Sequence, residues 1–254
     1  MLVVGNEKEM PITKPYFRIY RNFSNNNTFD SHEYITDGRN LKDIQSIAHA
    51  YYLLEMDLKT IFDYITPSQS NKLTYSHRIY ELFLRACTEF ENNASALLKA
   101  NNYSFSANPN IKNDYFKINK ALKLNNYEVK LNIWEHSSLV LQPFSEWSGT
   151  NYQPLKWYKD YNSVKHDRTA NFNLANLENL LNAVAGVAVI LFAQFKVEAF
   201  SPFTYYTTSP VNGYYSVGGS IFDIKPHIWD NTNSYDFDWN NLKNQQMPFE
   251  FYPF

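Results

Sequence analysis

Leu174-Ala175-Asn176-Leu177-Glu178-Asn179-Leu180-Leu181-Asn182-Ala183-Val184-Ala185-Gly186-Val187-Ala188-Val189-Ile190-Leu191-Phe192-Ala193-Gln194-Phe195-Lys196-Val197-Glu198 is the stretch on which the fold turns. Leu174, Leu177, Leu181, Val184, Ala188, Leu191 and Phe195 recur at helical spacing, and Glu178 is the only charge before Lys196. A helix so apolar is buried on most of its sides, in a core or a subunit interface. The unbroken apolar run, Ala183–Ala193, falls short of the ~20 residues that span a bilayer. The expectation is therefore a buried helix, in the core or in a subunit interface, and no membrane partner.

Working outward, the preceding helices have clear apolar stripes. Ile44, Ile47, Tyr51, Leu54, Leu58 and Phe62 define a helix from Leu41 to about Ile65, with Pro67 just beyond its end. Ile79, Phe83, Ala86, Phe90 and Leu97 define a second, from about Thr74 to Ala100. Its far face carries Arg78, Glu81, Arg85 and Glu89, with Arg85 and Glu89 spaced to pair along the helix. A shorter helix is expected at about 114–122, and another from Leu155 to about His166, with Pro154 suited to its first turn. Tyr127–Trp134 alternates and, with Ser138–Leu141, reads as a small β-hairpin. A strand is expected at Tyr16–Tyr20 and a polar loop at Ser24–Asn27. Beyond Ser201, proline and glycine punctuate aromatic runs, which read as short strands and turns laid on the helices. The resulting division is an irregular segment at 1–40, a helical domain at 41–198 with a hairpin insertion at about 127–141, and an aromatic extension at 199–254.

The 254 residues carry a net charge of −2, so global charge gives no sign of nucleic-acid binding, though a local basic patch is compatible with it. One cysteine, Cys87, excludes an internal disulfide framework and fits a reducing compartment. Met1-Leu2-Val3-Val4 is followed at once by Gly5, Asn6 and charges, unlike a signal peptide. The expected location is cytoplasmic. Seven glycines, none spaced like a phosphate loop, give no reason to expect a cofactor. Asp223, His227, Asp230, Asp236 and Asp238 match no zinc or calcium spacing, so no metal site is expected.

The chemistry-bearing segment is Tyr161-Asn162-Ser163-Val164-Lys165-His166-Asp167-Arg168. Four-residue spacing puts Asn162 and His166 on one helix face, with Lys159 further back. A histidine side chain has an intrinsic pKa of ~6.5 and so moves protons near neutrality. Cations hold phosphate and an amide orients it. Metal-free RNA cleavage needs those groups: a base for the 2′-hydroxyl, an acid for the leaving oxygen, and cations for the transition-state charge. For these residues alone a solvated helix end is the favoured reading, because cations there complement the helix dipole and Asp167 can begin the next turn.

Arg78-Ile79-Tyr80-Glu81-Leu82-Phe83-Leu84-Arg85-Ala86-Cys87-Thr88-Glu89-Phe90-Glu91, then Trp157-Tyr158-Lys159-Asp160-Tyr161-Asn162-Ser163-Val164-Lys165-His166-Asp167-Arg168, and then Asn176–Gly186 resemble the HEPN superfamily, nearest its abortive-infection-like bacterial branches. The resemblance covers about 41–198. It implies a mainly α, HEPN-like bundle, a homodimer with a composite cleft, and RNA as the target in bacterial defence or stress response. It leaves open a metal-independent endoribonuclease or a catalytically silent adaptor for a protein partner, such as an antitoxin, or a nucleotide. Laid on the family motif, Asn162 is the polar residue and His166 the histidine, while Tyr161 stands where the arginine is expected. Tyrosine supplies no permanent charge or bidentate fork. On this reading His166 is the acid/base, Asn162 orients the substrate, and Lys165 and Arg168 bind phosphate. Lys159, Tyr161, Arg78 and Arg85 are expected to contact substrate.

Overall fold

The last long helix, α7 (Leu177–Phe195), sits at the centre of the fold. A computed structural model describes residues 11–24, 32–42, 44–206, 210–218 and 220–254. Within α7 only Glu178 and Asn182 are not buried. With the following 3₁₀ turn (Lys196–Phe200) the helix is long and apolar enough, by length and composition, to cross a bilayer, yet 83% of its most apolar window is buried inside this chain. The protein's own elements cover it: α2 (Ile44–Phe62), α3 (His77–Ala100), α5 (Lys156–His166) and one face of a sheet. The apolar stripe therefore needs no second subunit to bury it.

Helix ends are set by side chains rather than by the apolar pattern. Ser76 accepts from the Ile79 amide and starts α3 at His77. Asn176 accepts from Asn179 and starts α7. Asp167 accepts from Ala170 at the head of α6 (Arg168–Asn171), so this aspartate does begin a new turn. The expected helix near 114–122 is a 3₁₀ turn running into α4 (Ile118–Leu122). Arg85 pairs with Asp57 of α2, across helices, and not with Glu89.

The hairpin forms as β1 (Glu128–Leu131) and β2 (Leu139–Leu141), with Val129 opposite Leu141. It is only half of the sheet. Tyr205–Tyr206, Tyr215–Gly218 and Phe222–Lys225 form β3, β4 and β5, giving the antiparallel order β2-β1-β5-β4-β3. Alternation sorts the two faces. Val129, Leu131, Phe222 and Ile224 are buried, while Lys130 and Glu128 meet Asp223 and Lys225 as cross-strand ion pairs. The fold is mainly α with this small sheet.

The expected strand at Tyr16–Tyr20 does not form. This segment instead makes isolated parallel bridges and single hydrogen bonds with the C-terminal stretch, including Tyr16 with Glu250 and Phe23 with Tyr235. Arg18 has a positive φ of 57° and turns inward, donating to Gln194 and Asn93, geometry that a regular strand excludes. The aromatic tail packs as core: Tyr34, Phe23, Tyr235, Phe237 and Trp239 form edge-to-face and tilted ring contacts. A short helix, α8 (Trp239–Leu242), follows, and α1 (Glu33–Thr36) lies near the start of the chain. Most of the polar loop expected at Ser24–Asn27 lies outside the described residues.

Candidate functional site

Two anchors fix α5. At its first turn, Lys156 donates to Asn179 and contacts Asp160 and Glu178, while Asn179 donates to Asp160 at 2.8 Å. Trp157 follows, buried, its indole N–H donating to the Pro143 carbonyl at 2.8 Å. Gly186 of α7 permits this approach, since a Cβ there would lie 3.4 Å from both Trp157 and Phe144. The helix is preceded by Pro154 and capped at Leu155, so the proline stands outside the first turn.

The inward face of α5 carries Tyr158, Tyr161 and Val164, all buried. Tyr158 donates to Glu91 of α3 at 2.6 Å, and burial followed by this bond raises its pKa. Glu91 is thus bound to a phenol rather than sitting in a salt bridge. Tyr161 is 2% exposed and packs edge-on against Phe83. Its oxygen accepts from Lys165 Nζ at 3.1 Å, with the ammonium 5.1 Å from the ring centroid. That bond raises the Lys165 pKa, and burial raises that of Tyr161. Cys87 lies fully buried beside them, and burial, then Glu91, pushes its thiol pKa well up, leaving a weak nucleophile.

The outward face presents an open groove of about 430 Å³ lined by Tyr152, Pro154, Tyr158, Lys159, Asn162, Ser163 and His166. Lys159 and His166 are exposed and Asn162 is half-buried. These three expected residues share one surface.

The other expected residues lie elsewhere. Tyr161 is a core side chain and not a substrate contact, because α5 turns it 100° per residue away from the groove. Lys165 is held on the α3 side by that same phenol. Arg168 rests over the Tyr80 ring at 5.7 Å, outside the groove. Arg78 pairs with Glu81, and Arg85 with Asp57, on a separate cleft of about 870 Å³ between α2 and α3. His77 packs against Phe172 in a tilted ring contact at 4.8 Å and also stays clear. Asp230 and Asp238 serve turn and cap roles, accepting from Asn233 and Asn240. Among the described residues no group of three or more His, Cys, Asp or Glu side chains is placed to hold a metal ion.

Tyr152, Tyr158 and Ser163 are groove residues that the sequence reading missed. Tyr158 was discoverable, being four residues before Asn162; Tyr152 lies in a loop, where spacing gives no signal.

Neither a family model, nor a curated protein, nor a solved structure matches this chain.

Proposed function

We propose that the protein is an HEPN-like effector that acts on RNA in bacterial defence or stress response, using the α5 groove to contact the strand. One observation carries the reading: Lys159, Asn162 and His166 line a single open groove. Lys159 supplies the cation for a phosphate, Asn162 the orienting amide, and His166 the proton-transfer group. Cleavage at a 2′-hydroxyl needs a base and an acid on opposite sides of the phosphorus, and the groove of one chain holds a single imidazole. The second group comes from a second copy, so the cutting form is a homodimer with apposed α5 faces.

Purified protein incubated with labelled RNA in a metal chelator should cut it, and His166→Ala should lose at least ~100-fold of that rate. Absence of cleavage by both proteins across a pH range would sink the ribonuclease reading. The adaptor reading has one observation in its favour: with Tyr161 buried and Lys165 held against it, Lys159 is the groove's only lysine or arginine. RNA or protein binding without turnover would select it.

A further inference from the structure

A second, larger concavity of about 860 Å³ opens where the α4 region meets the C-terminal stretch, with chemistry that the α5 groove lacks. Lys117, Lys120 and Lys123, three residues apart, stand along its rim. Lys120 and Lys123 have no carboxylate within ion-pairing distance among the described residues, and Lys117 rests over the Tyr103 ring at 5.6 Å. Lys123 is half-buried and caps the C-terminal end of α4 in a left-handed conformation, φ 53°. The acidic rim residue, Asp230, is engaged in its own turn, accepting from Thr232 and Asn233.

The floor and walls are aromatic. Trp147 and Trp229 are buried at its base, and Arg21 lies 4.1 Å from the Trp229 ring centroid. Trp147, 1% exposed, keeps an indole N–H without an acceptor, an unmet donor of a kind natural folds rarely leave. Phe116, His227 and Phe254 are half-buried on the walls and offer ring surface. His227 accepts at Nδ1 from the Asn126 amide, 3.1 Å, which leaves its Nε2–H free to donate. Burial, and then Lys123, lower its pKa against the opposing charge of Asp230, which favours the neutral ring. A row of unpaired ammonium groups beside partly exposed rings matches a phosphate backbone with unpaired bases.

The two grooves are neighbours. Ser148, Gly149 and Thr150 border the aromatic one, while Tyr152 and Pro154 from the same loop border the α5 groove. Phe116, on the aromatic wall, packs edge-on against Tyr152 at 5.6 Å.

We propose that this concavity is a binding site for single-stranded RNA, with Lys120 and Lys123 on successive phosphates and Phe116, His227 and Phe254 against bases, and that the bound strand passes Tyr152 into the α5 groove. The RNA-binding part stands on the groove's own chemistry; the path towards His166 rests on the function proposed above.

Fluorescence anisotropy of a labelled single-stranded RNA oligonucleotide, in chelator and over a salt series, tests it. Wild type should bind, and Lys120→Glu/Lys123→Glu should weaken binding at least ~10-fold. A strand loses about 0.7 in log–log salt slope per phosphate contact, so the variant's slope should fall by about 1.4. Its circular dichroism and melting temperature should match wild type, both lysines being on the rim. Phe116→Ala, which keeps the charges, should weaken binding ~5-fold. Equal binding by the charge-reversed variant, no RNA binding by wild type, or displacement by a nucleoside monophosphate with no affinity for the strand would each overturn the proposal. Lysine-dependent binding without cleavage would instead remove the ribonuclease reading and leave this one standing. His166-dependent cleavage untouched by the charge reversal would do the opposite.

Discussion

Asp114 is wholly buried and among the described residues has no cationic partner; it accepts from the Ser106 amide and hydroxyl, the Asn110 amide and the Tyr103 phenol instead. Burial works to raise its pKa, but the hydrogen bonds outweigh it and the net shift is downward from 3.8. A depressed folded-state pKa means that the carboxylate contributes stability fully above about pH 4, and that this is lost as pH falls through the lower folded value. Asp114→Asn should therefore cost about 2 kcal/mol at pH 7, and the gap in melting temperature between the two proteins should narrow as pH falls below the unfolded carboxylate value of about 4. A gap independent of pH would show that shape, not charge, holds the 103–114 loop. At the same scale, Tyr161 had two readings: helix spacing sets it with Trp157 and Val164 on the packing side of α5, while the motif alignment made it a substrate contact, and its burial favours the first. Lys165 follows it out of the groove, since a hydroxyl 3.1 Å away competes with any exposed phosphate contact.

At the scale of elements, periodicity sufficed where burial is one-sided along a helix. The stripes of α2, α3 and α7 each predict the element found, and the ends differ by only a few residues because Ser76 and Asn176 cap by side-chain chemistry that an apolar pattern does not register. The sheet was half legible. Alternation exposes the β1–β2 hairpin, but β1 also pairs with β5, and that register couples residues nearly a hundred positions apart, beyond local pattern. Arg85 likewise had two acidic neighbours in reach, and tertiary proximity chose Asp57. The contact of α5 with α7 is the interface that orients the candidate groove, and Gly186 of α7 lies against Trp157 of α5 there. Leucine there would drive a branched side chain into Phe144 and Trp157, both already at van der Waals distance from a Cβ. Overpacking of this kind costs about 1–3 kcal/mol, so Gly186→Leu should lower the denaturation midpoint. It should also weaken His166-dependent function beyond what the stability loss explains, because α5 shifts with Trp157. Full activity in a destabilised Gly186→Leu protein would show that the groove tolerates such movement.

For the molecule as a whole, the sequence suggested a helical domain with an aromatic extension laid on it, and the contacts join the two more closely. Strand β5 of the tail lies between β1 and β4, and its neighbour Ile221 donates its amide to buried Glu55 of α2 at 2.6 Å. At the other side, Tyr235 donates to the Ile19 carbonyl and accepts from the Tyr16 amide, so the chain's two end regions hold each other. Removing the tail would expose unpaired groups on β1 and the rings around Tyr34, and an unfolded tail would leave Glu55 buried without its amide donor. These costs are shared between both parts, which is the condition for cooperative unfolding. In urea, tryptophan fluorescence reports on Trp229 and Trp239 in the tail as well as Trp134 after β1, Trp147 before α5 and Trp157 on it, while far-UV circular dichroism is dominated by α2, α3 and α7. The two signals should trace one transition with a common midpoint. An earlier fluorescence transition that spares the helical signal would mean that the tail detaches first, and the concavity proposed to bind RNA, built from both parts, would then vanish while the α5 groove persisted.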